Sequence, residues 1–557
     1  MFKSNESKFG NYFKLPNPGL RSYFNRVVAG QPDEYRTPFG KGKSVQKILS
    51  EWAPNIQTLA TEWPTLVDFE NDLKAKVGPL SIMKPLRDRM KDIDNYYDLI
   101  KGKSEPVKLS AIAAVLKEFE VIRGFEMKTE EQTVFEMKKS TSSGSPFFIK
   151  RKSCLEDTIP CDVCQTGNTV IQKLQVYHSE KAKLTSTYPT RTSKYTFLAC
   201  AVLGWRGQEG GPKRGDVKQR VVWMFPFAVN IQELRMYNPL IELCQAHNLV
   251  PAWVSMEAVD ERITKMFDSK APQDLVVCTD FSKFDQHFNS NLQNCARDIL
   301  YGLATKNLDT AKWFQFVYPI KYMIPLAYDW NKIRFGAHGM ASGSGGTNAD
   351  ETLTHRALQY EAAQSQGKLL NVYSQCLGDD GILTYPGITV EDVMRSYTKH
   401  GLEMNETKQY ASTQDCVYLR RWHHKDYRRD GICVGVYSTF RAIGRLCEQE
   451  RYYDPEVWGR ENVALRQLSI IENCKNHPLF EEFVKFCMKQ DKYRLGLDIP
   501  GFLDNIAKVA KKAIDLMPDF LGYTKSVQKN APTGIENWEV VKLLKRFRHR
   551  NMKEINR

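Results

Sequence analysis

The chain holds 557 residues, 42% hydrophobic and 11% aromatic, enough apolar material for several packed subdomains rather than one core. Lys and Arg outnumber Asp and Glu by 79 to 65, a formal charge of +14, which points to a polyanionic partner: nucleic acid first, an anionic membrane surface second. No apolar run is long enough to cross a bilayer, and Met1-Phe2-Lys3-Ser4-Asn5 lacks the apolar core of a secretion signal, so neither a membrane nor a secreted protein is expected.

The first hundred residues mix turns with short helical pieces. In the basic loop 36–44, Gly42-Lys43-Ser44 has the ending of a phosphate-binding loop. Thr37 stands where its first glycine belongs, and no strand is expected to lead into it, so that reading is rejected. Apolar residues at helical spacing predict a helix over 109–119. Thr141-Ser142-Ser143-Gly144-Ser145-Pro146 is a small-residue loop ahead of the strand-like Phe147-Phe148-Ile149. Cys154, Cys161, Cys164 and His178 offer three thiols and an imidazole, but their spacing matches no standard zinc module. Zinc is not expected there. The 13 cysteines, odd in number and mostly single within apolar stretches, read as reduced thiols in a cytoplasmic setting.

Residues 210–220 are glycine-rich and basic, with Lys213, Arg214, Lys218 and Arg220, and run into the strand-like Val221-Val222-Trp223-Met224-Phe225. Cations alternating with glycine ahead of a buried strand suit a grip on phosphates. Leu275-Val276-Val277-Cys278-Thr279-Asp280 reads as a buried strand ending in a carboxylate, with Asp285 just beyond and Phe288, Leu292, Cys295 and Ile299 on one helical face. A glycine-rich loop, 339–348, precedes a helix carrying Glu351, His355, Leu358 and Ala362. Then two β-compatible runs flank Gly378-Asp379-Asp380-Gly381, the sequence form of a hairpin. Adjacent carboxylates at its tip repel each other, a conflict that a divalent cation with oxygen ligands removes. Beyond lie a helix over 390–400, a strand with a basic end over Cys416–Trp422, and mainly helical sequence from Phe440 onward. The last stretch, 542–550, is basic with Phe547 interleaved.

Three features in this order, Asp280 with Asp285, then Ser342-Gly343 with Thr347, then Gly378-Asp379-Asp380, resemble viral RNA-dependent RNA polymerases. The wording of 280–288 and 342–351 is most similar to the picobirnavirus enzymes. The resemblance implies an α+β fold, a closed right-hand polymerase with fingers, a palm of antiparallel sheet flanked by helices, and a mainly helical thumb. By the same likeness, 1–105 bridges fingers and thumb, 106–240 and 306–336 are fingers, 241–305 and 337–435 are palm, and 436–557 are thumb and tail. It implies template-directed RNA synthesis from ribonucleoside triphosphates, replicating and transcribing a viral genome.

Asp280 and Asp379, with Asp380 assisting, would then hold two Mg²⁺, for which Mn²⁺ can substitute, and Lys408 would protonate pyrophosphate. Asp285, Ser342, Gly343, Thr347 and Asn348 would serve the nucleotide, with Lys213, Arg214, Lys218 and Arg220 over its triphosphate. Thr141, Ser142, Ser143, Gly144 and Pro146 would guide the template, and Leu419, Arg420 and Arg421 would grip the nascent strand. The partners implied are single- or double-stranded viral RNA and ribonucleoside triphosphates, with capsid protein nearby and no membrane. A monomer in the virion interior and host cytoplasm is expected. Where picornaviral relatives carry an asparagine four residues after the threonine, this chain has Glu351, which cannot donate a hydrogen bond when ionised. A reverse transcriptase shares the palm chemistry but carries an aromatic where Leu377 stands, and a non-enzymatic RNA-binding protein leaves the carboxylates unexplained.

Overall fold

The computed structural model describes residues 35–555 except 83, 146, 167–172, 178–190, 194–195, 330–331, 451–452, 454–455, 515 and 518–533. Helix α1 (Pro64–Lys74) leads through a turn into an extended strap, 77–82, and α2 (Leu109–Glu118) follows. A long antiparallel ribbon pairs β1 (Ala201–Gln208) with β2 (Lys218–Met224) in the register Gln208↔Lys218 to Val202↔Met224. Pro226 ends β2 and caps α3 (Phe227–Ala246), since proline lacks the ladder N–H but suits the entry to a helix.

After α4 (Met256–Ser269) comes β3 (Val276–Thr279), all four residues buried. α5 (Ser290–Leu303) and α6 (Thr347–Ser365) follow, then β4 (Gln375–Leu377), β5 (Asp380–Leu383) and β6 (Tyr410–Ser412). These strands form one antiparallel sheet in the order β4-β5-β3-β6. Side-chain alternation explains its burial on both faces. Val277 and Leu383 join the core that holds α5 and α6, while Val276, Cys278 and Ile382 join Val259, Ile263 and Met266 of α4.

Helix α6 is buried nearly all round, so its polar side chains need partners. Asp350 accepts from Tyr237 and Tyr322 hydroxyls at 2.7 and 2.6 Å and pairs with the buried Lys321 ammonium at 3.1 Å. Gln359 donates to the carbonyls of Gln375 and Ile382 at 2.9 and 3.1 Å, tying helix to sheet.

β7 (Asp415–Tyr418) and β8 (Arg421–His424) form a hairpin, and α7 (Thr439–Cys447) opens a helical C-terminal part with its own core. That core includes N-terminal residues: Trp52 packs on Phe483 at 5.2 Å and donates its indole N–H to Thr439 Oγ1 at 2.8 Å. The two-residue strand Tyr35–Arg36 pairs with Glu448–Gln449. Ser44, in the loop rejected as a phosphate site, caps the helix Val45–Gln57 instead.

Several expectations shift in detail. The stretch Cys416–Trp422 is a hairpin rather than one strand, because Leu419 and Arg420 turn the chain with positive φ. Phe288 is buried but precedes α5, since Asn289 stops the preceding helical turn and caps the next helix with its side chain. The helices expected over 109–119 and 390–400 end at Glu118 and Thr398.

Candidate active site

β4 and β5 pair Leu377 with Asp380, so Gly378 and Asp379 alone make the turn and Asp380 already belongs to β5. Gly378 has φ 58°, which glycine adopts without the cost a Cβ brings. Helix α6 grips this turn from below: the Gly378 N–H donates to Thr352 Oγ1 at 2.9 Å, and His355 Nδ1 lies 2.9 Å from the Gly378 carbonyl. Burial pushes His355 down to about 4, so the neutral ring donates Nδ1–H to that carbonyl. A Cβ on Gly381 would stand 2.6 Å from His355 Cε1, which accounts for the second glycine of the motif.

Asp280 follows β3 beside the turn. Gln409 fixes its backbone from both sides, accepting the Asp280 N–H at 2.8 Å and donating to its carbonyl at 2.8 Å. The pairing Tyr410↔Cys278 carries Lys408, the residue before Gln409, to the same place. Asp380 is turned toward the β7–β8 hairpin, where its Oδ2 accepts the Leu419 N–H at 2.8 Å.

All three carboxyls are raised, and withdrawal from bulk water is the largest cause in each. For Asp379 the carboxylate of Asp285 adds to it, Arg220 opposes it and Asp280 adds further. Asp380 is pushed up to about 7, with Asp379 adding to burial and the Leu419 N–H and Arg420 opposing. Asp280 is held back by Lys408, Lys76 and Lys218. Such crowding is what a divalent cation relieves, and oxygen-only donors suit a hard ion such as Mg²⁺. Among the described residues no three Asp, Glu, His or Cys side chains converge tightly enough to be a finished ligand set. Asp280 and Asp379 are both exposed to the cleft, whereas Asp380 has one oxygen engaged.

Opposite the carboxylates, Lys218 and Arg220 project from one side of β2, with the buried Gln219 between them. The foremost cations acting on the three carboxylates are Lys76, Lys218, Arg220, Lys408 and Arg420. Lys213 and Arg214 lie in the turn at the ribbon's tip.

Asp285 sits half-buried in the one-turn helix Phe284–His287, and the Glu351 carboxyl hydrogen-bonds to it. Burial first, then the charges of Asp285 and Asp379, push Glu351 well above the usual carboxyl range. The shift favours the protonated form, in which Glu351 can donate to Asp285 rather than repel it. A Cβ on Gly378 would lie 3.5 Å from Glu351 Oε2 and 4.0 Å from Asn348 Nδ2, so both groups flank the turn. The Trp253 indole can only donate, and it donates to Asn348 Oδ1 at 2.8 Å, leaving the amide NH₂ toward the turn.

Two loops meet at the end of β2. Ser342 Oγ donates to the Val221 carbonyl at 3.0 Å, and a Cβ on Gly343 would stand 1.5 Å from the Trp223 carbonyl oxygen. A Cβ on Gly144 would stand 2.3 Å from the Phe225 carbonyl oxygen, and Ser143 accepts the Phe227 N–H at its carbonyl, 2.8 Å away. Thr141 and Ser142 are exposed beside them, Ser143 is buried, and Pro146 lies outside the described residues. The Thr347 hydroxyl donates to Ala341 and Ser344 carbonyls at 3.2 and 3.3 Å, closing the glycine-rich loop on itself. Buried Glu233 holds that loop as well, accepting from the Gly345 N–H at 3.2 Å and from Ser344.

Arg420 is exposed at the β7–β8 turn, and Arg421 lies over the Tyr437 ring at 5.6 Å. Cys154 and Cys161 are buried, Cys161 beside Gln232 Nε2 at 3.5 Å; the Cys164 side chain and His178 lie outside the described residues. Sequence reasoning missed Thr352, Gln409, Glu233 and Lys76, none of which belongs to a recognisable short motif.

A family model described as viral RNA-dependent RNA polymerase matches residues 44–432. A potential RNA-dependent RNA polymerase of human picobirnavirus is 60% identical over 543 residues, 96% of this chain and 98% of that protein. The fold is similar to the crystal structure of the RNA-dependent RNA polymerase of a human picobirnavirus, with TM-score 0.88 and 59% identity over 97% of this chain and 98% of that one. It is also similar to an insertion-loop deletion mutant of a human picobirnavirus polymerase, with TM-score 0.87 and 57% identity over the same shares. The chain belongs to the viral RNA-dependent RNA polymerases, an enzyme family, and its likeness there is to the picobirnavirus members.

Proposed function

We propose that the chain copies single- or double-stranded viral RNA from ribonucleoside triphosphates by two-metal nucleotidyl transfer, replicating and transcribing a viral genome. The observation that carries this reading is the opposition of the exposed Asp280 and Asp379 carboxylates to Lys218, Arg220 and Lys408. Phosphoryl transfer needs charge neutralisation and in-line positioning more than covalent help, and this cleft offers both.

In this reading residues 106–240 and 306–336 are fingers, 241–305 and 337–435 palm, and 436–557 thumb and tail of a closed right hand. The segment 1–105 bridges fingers and thumb, which the pairing of Tyr35–Arg36 with Glu448–Gln449 supports. Asp280 and Asp379, with Asp380 assisting, would hold two Mg²⁺, which when bound would supply activation of the primer 3′-hydroxyl and neutralisation of the leaving pyrophosphate. Lys218 and Arg220 take phosphate oxygens, with Lys213 and Arg214 nearer the entrance. Lys408 holds a proton beside Asp280, where pyrophosphate can accept it.

Asp285 accepts a hydrogen bond from the ribose 2′-hydroxyl, and the Asn348 amide donates to it. Ser342, Gly343 and Thr347 shape the loop beneath the base, Thr347 through its bonds within the loop. Thr141, Ser142, Ser143, Gly144 and Pro146 guide the template, and Leu419, Arg420 and Arg421 steady the new strand. The chain works as a monomer in the virion interior and host cytoplasm, beside capsid protein; among the described residues no helix is long and apolar enough to cross a membrane.

The test is synthesis by purified protein on a short single-stranded RNA with Mg²⁺ and four ribonucleotides, with and without an RNA primer, with the 5′ end of the product identified. Template-length RNA is expected. A product made only from deoxyribonucleotides, or none on RNA, contradicts the proposal.

A further inference from the structure

The strap 77–82 reaches the cleft from the N-terminal side and is held at several points along it. Val77 is buried, and a Cβ on Gly444 of α7 would stand 2.8 Å from Val77 Cγ1. The next residue, Gly78, has room for no side chain: its Cβ would stand 1.6 Å from the Gly211 carbonyl oxygen in the ribbon's turn. Gly207 meets the Leu80 carbonyl in the same way, at 1.4 Å. Gln219, the buried residue between Lys218 and Arg220, accepts the Lys84 N–H at 2.9 Å and donates to the Ile82 carbonyl at 2.5 Å. The strap is thus wedged between the ribbon and α7, and its course is tied to the residue that sits between the two ribbon cations.

Lys76 is the last residue before this wedge. Its backbone is held by the turn that follows α1, with its N–H donating to the Leu73 carbonyl at 3.1 Å. The side chain is exposed, yet it stands within electrostatic reach of both Asp280 and Lys218. Among the described residues no acceptor lies within hydrogen-bonding distance of its ammonium. Lys408 reaches the same two groups from the far side of the cleft. Three lysines from three separate parts of the chain therefore converge on one carboxylate. A solvated lysine on an open surface would swing away from such neighbours, but Val77 and Gly78 fix where this one starts. Three lysines against the one carboxylate leave this side of the cleft net positive, which suits a compact polyanion.

We infer that Lys76 is a further nucleotide-binding residue, its ammonium taking a phosphate oxygen of the incoming nucleoside triphosphate between Lys218 and Lys408. The inference rests on the polymerase reading above and adds to it that the N-terminal strap builds one wall of the triphosphate site. A ribonucleotide can then be fully gripped only while the strap is wedged against both ribbon and α7.

The test compares Lys76→Met, which removes the charge but keeps the aliphatic stem, with Lys76→Arg, which keeps the charge, and with Lys368→Met on a distant exposed loop. Inorganic tripolyphosphate in the presence of Mg²⁺ is the probe, its Kd measured by titration calorimetry, alongside ribonucleotide KM and kcat on a fixed RNA template. Lys76→Met should raise the tripolyphosphate Kd and the ribonucleotide KM about tenfold, the usual loss for one charge-assisted contact. Lys76→Arg should restore most of both, and Lys368→Met should change neither. An unchanged Kd in a folded Lys76→Met protein overturns the inference. So does a lowered Tm that Lys76→Arg fails to rescue, which marks a packing role, or a loss confined to template affinity, which places Lys76 on the RNA path. RNA synthesis by the unsubstituted chain tests the polymerase reading separately, because tripolyphosphate binding reports on Lys76 whether or not product forms.

Discussion

The buried Glu351 carboxyl hydrogen-bonds to the Asp285 carboxyl, and burial, then the charges of Asp285 and Asp379, raise Glu351 well above the usual carboxyl range. A carboxylic acid kept neutral by burial presents a donor and an acceptor, as a carboxamide does. That is how Glu351 can stand where relatives carry an asparagine. In the proposed site Glu351 orients Asp285, while the Asn348 amide, fixed by the Trp253 indole, faces the turn.

Sugar selection should follow from that pair. A site built to hydrogen-bond a hydroxyl can reject the analogue lacking it by about 10⁴-fold, since its polar groups are then left unpaired. Asp285→Ala should lower ribonucleotide kcat/KM far more than the deoxyribonucleotide value, narrowing the ratio between them. Glu351→Gln keeps a donor and should retain most of the ratio, whereas Glu351→Ala should lose much of it. Equal slowing of both substrates by Asp285→Ala would make Asp285 a structural turn residue.

The same pair predicts a pH dependence of stability. Glu351 is raised in the folded chain, so between its unfolded and folded values the folded state binds more protons than the unfolded state, and stability falls as pH rises through that window. Glutamine cannot ionise and lacks this loss. In metal-free buffer the Tm of Glu351→Gln relative to the native chain should therefore climb from pH 5 to pH 8. A difference that stays flat or falls shows that Glu351 is ionised.

Close backbone approach makes Gly343 intolerant of any side chain. Gly343→Ala would place a methyl 1.5 Å from the Trp223 carbonyl oxygen, so β2 or the loop must move. Gly215, in the ribbon's turn, has nothing within 4 Å of its would-be Cβ. Gly343→Ala should reduce RNA synthesis by at least about 100-fold, in line with misplacement of positioning groups, while Gly215→Ala leaves Tm and synthesis unchanged. Near-native synthesis by Gly343→Ala contradicts the packing described.

Thr352→Val removes the acceptor of the Gly378 N–H without changing the shape of the side chain. An unpaired buried N–H costs about 1–3 kcal/mol, a fall of a few degrees in Tm. Because Asp379 is the next residue, kcat should drop with it while template affinity holds. A variant with native Tm and kcat shows that Thr352 does not hold the turn.

How much of this was legible in the sequence depended on distance along the chain. The Gly-Asp-Asp hairpin and the buried strand before Asp280 are local patterns, and both form where the residues place them. Leu419-Arg420 is the counterexample. A two-residue turn with positive φ normally announces itself with glycine or asparagine, and neither is present, so one strand was expected where there are two. The Asn289 cap was a usable signal for ending the helical face that Phe288 was assigned to. Gln409, Thr352 and Lys76 owe their positions to contacts between remote segments, and no spacing rule could reveal them. Glu351 was visible as a departure from its relatives, but its protonation is set by burial against Asp285, which only the fold supplies.

The central claim, that Asp379 and Asp280 form the reacting centre of an RNA-templated polymerase, is tested most directly by Asp379→Asn. Labelled ribonucleotide incorporation on an RNA template with Mg²⁺ should fall by at least about 100-fold, the typical loss of one charge-stabilising group, with RNA affinity and Tm nearly unchanged. Substantial synthesis by the folded Asp379→Asn protein would contradict the account.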